Sequence, residues 1–256
     1  MKTVVITGAS KGIGFELGKL YVENGFKVIC LSRSAPLCED ILHIPCDISD
    51  IKSVESAAQQ IEKIDILVNN AGIGVGGSVE WTSFEDAKRI IDVNFLGLFN
   101  VTSVFLGKLR DKKGRIVNVS SVAGEFGIPY QTLYGATKAA MNAFSDGLRN
   151  ELRTFGVRVL NVMPGDTKTE FARLKNKQDG EYTEFSDRSI AIMERDEQRG
   201  MTGKYVARKI YRWSRRKRIP QSKVVGRKFG FLLFLSRFLP RRFVNYLVYK
   251  LYGGAK

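Results

Sequence analysis

The chain runs to 256 residues, 44% hydrophobic and 26% charged, proportions ordinary for one α/β domain with a large core. Its cysteines, Cys30, Cys38 and Cys46, and its single histidine, His43, are too few and too widely spaced for a metal site, so no metal is expected and reduced thiols in a cytoplasmic setting fit. Net charge is +15, and the excess sits at one end: residues 204–256 hold sixteen Lys or Arg and no Asp or Glu, leaving residues 1–203 with 25 basic and 26 acidic side chains.

Val4, Val5 and Ile6 form a short apolar, β-branched run that predicts a buried strand near 3–7, so no secretory signal is expected to open the chain. The run leads into T-G-A-S-K-G-I-G, Thr7 to Gly14, and then into a segment with helical spacing near 12–24. Strand, glycine turn and helix form the setting that a phosphate-binding loop needs. Gly8 and Gly12 permit a tight turn and close backbone approach, and Gly14 lets the helix pack on the strand. The free N–H groups at the start of that helix would face a pyrophosphate. Further strands are expected near 27–31, 42–45, 65–69, 114–119, 156–162 and 223–226, and helices near 51–61, 84–111, 134–155 and 203–217. This alternation predicts an α/β fold: one doubly wound parallel sheet of seven strands, with helices on both faces. Residues 32–41 are too short a connection for a helix, and His43 reads as a loop residue before the third strand.

Tyr134 and Lys138 lie four residues apart in Y-G-A-T-K, so a helix puts them on one face. An ammonium group beside a phenol favours phenolate, which predicts a lowered tyrosine pKa and a general acid for carbonyl reduction. Ser121, thirteen residues earlier, can add a hydroxyl donor to the same oxygen. Tyr and Lys are common on helices, so the weight of this pair comes from its surroundings.

Together these motifs resemble the short-chain dehydrogenase/reductase family over most of the chain, which implies a single-domain Rossmann-type fold. T-G-A-S-K-G-I-G resembles its cofactor loop, here with Gly8, Ser10, Lys11, Gly12, Ile13 and Gly14. N-N-A-G, with Asn70, Ala71 and Gly72, resembles the motif after the fourth strand. Asn94 falls where the family keeps a catalytic asparagine, which implies a bound water relaying a proton to Lys138. N-V-S-S ends at Ser121, the expected active-site serine, and M-P-G-D-T, with Pro164, Gly165 and Thr167, resembles the loop that closes over nicotinamide. By the same resemblance Tyr134 donates the proton and Lys138 holds the nicotinamide ribose. The family helices corresponding to 84–111 and 134–155 form a dimer contact in most relatives, so a homodimer or homotetramer is implied, with Ala136, Ala139, Ala140, Met141 and Phe144 on the packed face.

The end of the second strand bears on the cofactor. An NAD enzyme needs an acidic residue there for the ribose 2′-hydroxyl, whereas this chain has Ser32, Arg33 and Ser34. Arg33 and Lys11 are placed to hold a 2′-phosphate, so NADP(H) is expected. Asp47 and Ile48 fall where the family contacts adenine, although Asp47, like Ser49 and Asp50, could instead cap the helix near Ile51.

From residue 229 onward, aromatic and Leu residues alternate in blocks with Arg and Lys, and Pro240 divides the run. The pattern predicts two amphipathic helices near 229–238 and 241–252, an extension (229–256) of a catalytic domain at 1–228. Neither approaches the roughly 20 apolar residues of a spanning helix. Three readings stand: helices packed on the core or a sister subunit, a peripheral anchor on an anionic membrane surface, or a nucleic-acid contact through Arg215–Arg218. Aromatic density flanked by Arg favours the membrane, and no groove-reading motif is present, so no nucleic acid is expected. By the same resemblance the substrate side is expected at 123–131 and in a lid near 170–200, where Phe126, Ile128, Tyr130, Met163, Phe171 and Leu174 suit a hydrophobic, lipid- or steroid-like carbonyl or alcohol. A non-catalytic, NADPH-binding regulator or scaffold is the alternative, but such proteins usually lose the Tyr, the Lys or the glycine loop, all intact here.

Overall fold

The computed structural model describes residues 1–175 and 180–253. Seven parallel strands form one sheet: β1 (Thr3–Thr7), β2 (Lys27–Ser32), β3 (Ile41–Pro45), β4 (Ile66–Asn69), β6 (Arg115–Val119), β7 (Arg158–Pro164) and β11 (Ser222–Val225), in spatial order β11-β7-β6-β4-β1-β2-β3. The order reverses at β1 and β4, so a crevice opens beyond their carboxyl ends, where ligands bind in sheets of this kind.

Helices cover both faces, as the two-sided apolar strands require. On one face, α1 (Gly12–Glu23) and α7 (Gly203–Ser214) pack Leu17, Tyr21, Val206 and Ile210 against Val4 and Ile6. On the other, α2 (Ile51–Gln59), α4 (Gly97–Asp111) and α5 (Thr132–Glu151) contribute Val54, Phe105 and Leu148 to a core that includes Val5 and Leu67. Val4 to Ile6 thus alternate between two cores, and each fully buried large side chain contributes about 1.5–3 kcal/mol. Tyr21 ties α1 to α7 through a 2.6 Å hydrogen bond with the Ser214 hydroxyl.

The helical stretch 84–111 has a break that its apolar pattern did not announce. It comprises α3 (Phe84–Ile91), one π-helical turn (Asp92–Leu96) and α4. The stretch is long and apolar enough to cross a membrane by composition, yet Val101, Phe105 and Leu109 are fully buried in the core. The segment 170–200, expected as a lid, contains a further helix, α6 (Thr183–Gln198), and residues 176–179 of that lid lie outside the described residues. Two short parallel pairs frame it: β5 (Gly74–Gly76) with β9 (Arg173–Lys175), and β8 (Thr167–Lys168) with β10 (Met201–Thr202). His43 is a residue of β3 and not of a loop: it pairs with Cys30, and its Nε2 lies 2.9 Å from the Ser32 carbonyl.

The chain closes with α8 (Arg227–Ser236) and α9 (Arg241–Tyr252), divided at Pro240. Leu233 packs with Val122 and Met163, beside Phe126 and Phe229. Val248 is buried, whereas Phe231, Phe234, Phe238 and Phe243 are exposed.

Candidate active site

β1 runs into its glycine turn with Gly8 at φ +67° and Gly12 at φ +62°, the left-handed region in which other residues are strained. Gly14 serves a tighter purpose than helix-on-strand packing. A Cβ there would lie 2.5 Å from Asn70 Nδ2 and 2.7 Å from the Gly8 carbonyl oxygen. Asn70 uses that amide to donate to the carbonyls of Thr7 and Gly8, each at 3.1 Å, which fixes the turn. Thr7 answers from the other side: its Oγ1 accepts from the N–H groups of Asn70 and Ala71, each at 3.0 Å. At the start of α1, Lys11 provides no side-chain cap and no acidic residue lies in the first turn. The free N–H groups of that turn therefore suit an anion.

A cleft of about 410 Å³ starts here and crosses the carboxyl ends of the strands. Its first end is lined by Gly8, Ser10, Lys11, Gly12, Ile13, Ser32, Arg33, Asp47 and Ile48. Lys11 and Arg33 are exposed there, while Ser32 is buried and donates from Oγ to the Ser34 carbonyl at 2.7 Å. Asp47 is not the cap of α2. Asp50 accepts from Lys52 N, leaving Asp47 to accept from the N–H and hydroxyl of Ser49 at 3.0 and 2.6 Å. Burial works to raise the Asp47 carboxyl, but the Ser49 hydrogen bonds, with Arg33 and Arg89 nearby, outweigh it and hold the group below its usual range.

The middle of the cleft is walled by Asn70, Ala71, Gly72, Ser121, Tyr134, Lys138, Pro164, Gly165 and Thr167. Ser121 follows β6 and caps a short 3₁₀ turn (Val122–Gly124), accepting from Ala123 N at 3.1 Å. Its hydroxyl also hydrogen-bonds the Tyr134 phenol. Tyr134 and Lys138 share a face of α5, with Lys138 Nζ 5.7 Å from the centre of the tyrosine ring. Lys138 is 3% exposed and donates to the Val119 carbonyl at 3.0 Å. Burial lowers its pKa to about 8.

The tyrosine departs from the sequence expectation. Its pKa is raised, to about 12, not lowered. Burial dominates, and the Ser121 hydrogen bond offsets only part of it, while Glu197 raises and Arg173 lowers the value. Local i, i+4 spacing reveals the neighbouring ammonium but not the loss of water around the phenol. A raised pKa keeps the phenol protonated at neutral pH, the state a proton donor needs.

Two expected site residues, Gly14 and Asn94, stand behind the cleft wall. The π-helical turn carries Asn94 inward to complete burial. Ile73 N donates to its Oδ1 at 2.8 Å, and its Nδ2 donates to the Ile73 carbonyl at 2.8 Å and to Thr137 Oγ1 at 3.1 Å. Gly72 separates it from the cleft, since a Cβ there would lie 3.3 Å from Asn94 Oδ1 and 3.6 Å from Lys138 Nζ.

The far end of the cleft is more polar than expected. Ile128 and Phe171 line it as predicted, and Phe171 meets Tyr134 edge-on with ring centres 5.7 Å apart. Phe126 and Met163 instead pack beneath α8, Leu174 joins Ile73 and Ile90, and Tyr130 lines a neighbouring hollow. Asp166, Arg173, Met193, Glu197 and Tyr252 were missed and also line the cleft. Arg173 is nearly buried and binds Glu197 at 2.6 Å, joining β9 to α6. Asp166 is pushed up to about 6 by burial, then by Asp196 and Glu197. Asp166 lies within M-P-G-D-T, and Arg173, Met193 and Glu197 within the expected lid, but no spacing singles them out, and Tyr252 comes from the far end of the described chain.

A glycine turn, a Ser-Tyr-Lys wall and a doubly wound sheet define a nucleotide-dependent oxidoreductase, and the comparisons agree. Residues 2–180 match the short chain dehydrogenase family, and the chain belongs to that family. It is 35% identical over 250 residues to a probable short-chain type dehydrogenase/reductase, VdlC, of Helicobacter pylori, covering 92% of each chain. It is 32% identical over 255 residues to the 3-ketodihydrosphingosine reductase of Bacteroides thetaiotaomicron, covering 95% of each. A solved short-chain dehydrogenase from Streptomyces avermitilis superposes with a TM-score of 0.84 at 25% identity, covering 93% of this chain and 92% of that one.

Proposed function

We propose that the protein is an NADPH-dependent reductase of a hydrophobic carbonyl compound, acting reversibly on the secondary alcohol. The observation that carries this reading is the meeting of Ser121, Tyr134 and Lys138 on one wall of the cleft that begins at the glycine turn.

The turn's paired positive-φ glycines and uncapped helix start fit a pyrophosphate at Gly8, Ser10, Gly12 and Ile13, and Gly14 leaves room for Asn70 to brace them. Lys11, Ser32 and Arg33 would hold the 2′-phosphate, Asp47 and Ile48 the adenine, and Lys138 with Tyr134 the nicotinamide ribose. Asn70, Ala71, Gly72, Pro164, Gly165 and Thr167 would enclose the nicotinamide. NADPH held there would supply the hydride that the carbonyl carbon takes up, becoming NADP⁺. Tyr134 passes its proton to the carbonyl oxygen, so one C–H and one O–H bond form as the C=O π bond breaks. Ser121 donates a hydrogen bond to that oxygen, which strengthens as charge grows. Lys138, buried and with a pKa of about 8, returns a proton to Tyr134. Asn94 positions Ile73 and the backbone beside Lys138, and its Oδ1 keeps a lone pair for the expected water.

The same reading places residues 1–228 as the catalytic domain and 229–256 as an extension, residues 254–256 of which lie outside the described residues. It takes the protein as a cytoplasmic homodimer or homotetramer that associates peripherally with an anionic membrane surface. The test is a panel of hydrophobic ketones with NADPH and with NADH, followed at the reduced-nicotinamide absorbance band. Oxidation of NADPH by at least one ketone is expected. Equal rates with NADH would overturn the cofactor assignment, and no oxidation with any ketone would overturn the reductase reading.

A further inference from the structure

Helices α8 and α9 form a surface that is at once cationic and openly apolar. Phe231, Phe238 and Leu251 are 64%, 72% and 65% exposed, and Phe234, Phe243 and Tyr246 about half exposed. Arg227, Lys228, Arg237, Arg241, Arg242 and Lys250 are exposed on the same two helices or the turn between them, which carry no acidic residue. A monomer rarely leaves such a patch uncovered. A second copy of the same face would bring like cations together, whereas anionic headgroups match the cations and acyl chains match the rings. With 10 and 12 residues, the two helices are too short to cross the roughly 30 Å of a bilayer core, so they would lie in its interface.

The inner side of the same hairpin belongs to the cleft. Tyr252, at the end of α9, lines the cleft with Asp166 and Glu197. Leu233 rests on Val122, the neighbour of Ser121, and the Phe229 ring lies on Gly165 of the loop proposed to enclose nicotinamide. The hairpin therefore lines one wall of the cleft at Tyr252 and backs it behind Val122 and Gly165. From this geometry we infer that the α8–α9 hairpin docks on an anionic bilayer and admits a membrane-dissolved carbonyl substrate to the cleft along that wall. The inference rests on the reductase reading for its chemistry, while docking itself needs no turnover.

The experiment uses the full chain with vesicles of phosphatidylcholine, alone or with phosphatidylglycerol, and two ketones, one short-chain and water-soluble and one long-chain and dissolved in the vesicles. Phe234 and Phe238 touch each other and are exposed, so Phe234→Asp with Phe238→Asp leaves the core intact. Wild type is expected to co-sediment with the anionic vesicles, less with the neutral ones, and to be released by salt. The double variant is expected to lose that binding and to reduce the long-chain ketone about tenfold more slowly. Its rate on the soluble ketone should match wild type. Arg241→Gln with Arg242→Gln should weaken anionic binding alone. No vesicle binding by wild type, or light scattering that finds the patch buried between subunits and released by the double variant, would overturn the docking face. Equal rates of wild type and double variant on the long-chain ketone would overturn the entry route. Failure of wild type on both ketones would instead strike the reductase reading, with the vesicle arm still deciding docking.

Discussion

The ring of Phe229 stands where a side chain on Gly165 would stand. A Cβ at Gly165 would lie 2.0 Å from the ring's Cδ2 and 2.5 Å from its Cγ. The first residues of α8 and the loop after β7 are thus fitted to each other, and only glycine at 165 allows it.

Gly165→Ala should therefore force the ring and the start of α8 to shift, at a cost of about 1–3 kcal/mol in stability, the scale of overpacking. Weaker NADPH binding is expected with it. Phe229→Ala in the same chain should recover most of the loss, because it empties the space the new methyl needs. Thermal melts and cofactor titrations of the two single variants and the double variant measure the coupling. Simple additivity would refute the contact.

Tyr134→Phe keeps the ring against Phe171 and removes the proton donor. NADPH affinity should hold while turnover falls by orders of magnitude. Ser121→Ala should slow turnover about a hundredfold or more, the scale of one lost oxyanion donor. Steady-state rates with any ketone that wild type reduces provide the check, and normal turnover by Tyr134→Phe would rule out the mechanism.

The parts of this protein that were legible in the sequence are those carried by local pattern. β-branched runs gave β1, β2, β4 and β7 within two residues, and the glycine turn, N-N-A-G and Y-G-A-T-K each keep their residues together. Helix α6 was not legible, because only Ser189, Ile190 and Met193 are buried along its length and no apolar stripe announces it. Arg173 and Glu197 lie 24 residues apart and meet only because β9 pairs with β5 beside α6. The sign of the Tyr134 shift depends on burial, a tertiary property that spacing does not record. Met141, expected on the subunit-facing side of its helix, is 1% exposed and belongs to the core, because that side of α5 faces the sheet.

The pH dependence separates Lys138 from Tyr134. Tyr134, at about 12, holds its proton through the neutral range, so the first alkaline loss of reductase activity should belong to Lys138, at about 8. Protonated Lys138 is the form that returns a proton, so activity should be full below that value and fall above it. Rates of reduction measured from pH 6 to pH 10 should show an apparent midpoint about 8. A flat profile would exclude the relay. Stability moves the other way. Folded Lys138 binds fewer protons than its unfolded counterpart between about 8 and its ordinary 10.5, so its contribution to stability rises with pH across that window. Tyr134 reverses the trend between its ordinary 10.0 and about 12, where the folded state binds more protons.

Cofactor choice should turn on Arg33. Arg33→Asp replaces attraction for a 2′-phosphate by repulsion and supplies the carboxylate that a ribose 2′-hydroxyl accepts. NADPH affinity should fall steeply and NADH affinity rise, inverting the preference. Lys11→Ala should weaken NADPH alone. Binding titrations with both reduced cofactors measure this, and wild type that holds NADH as tightly as NADPH would refute the assignment.

Assembly should run through the outer faces of α5 and of α4 with the π-helical turn before it. Leu96 and Phe99 are 43% and 50% exposed on one side, and Ala136, Ala139 and Ala143 are exposed along α5, with open space over Gly147. Small residues on one helix and large apolar ones on its neighbour allow close packing against a second copy related by a two-fold axis. Light scattering in detergent-free buffer should find a dimer or tetramer at micromolar concentration. Ala139→Glu would place two like charges in that contact and should yield monomers, with the helix content of the chain unchanged by circular dichroism. Wild type that is already monomeric, or an Ala139→Glu chain that assembles as wild type does, would move the contact elsewhere or remove it.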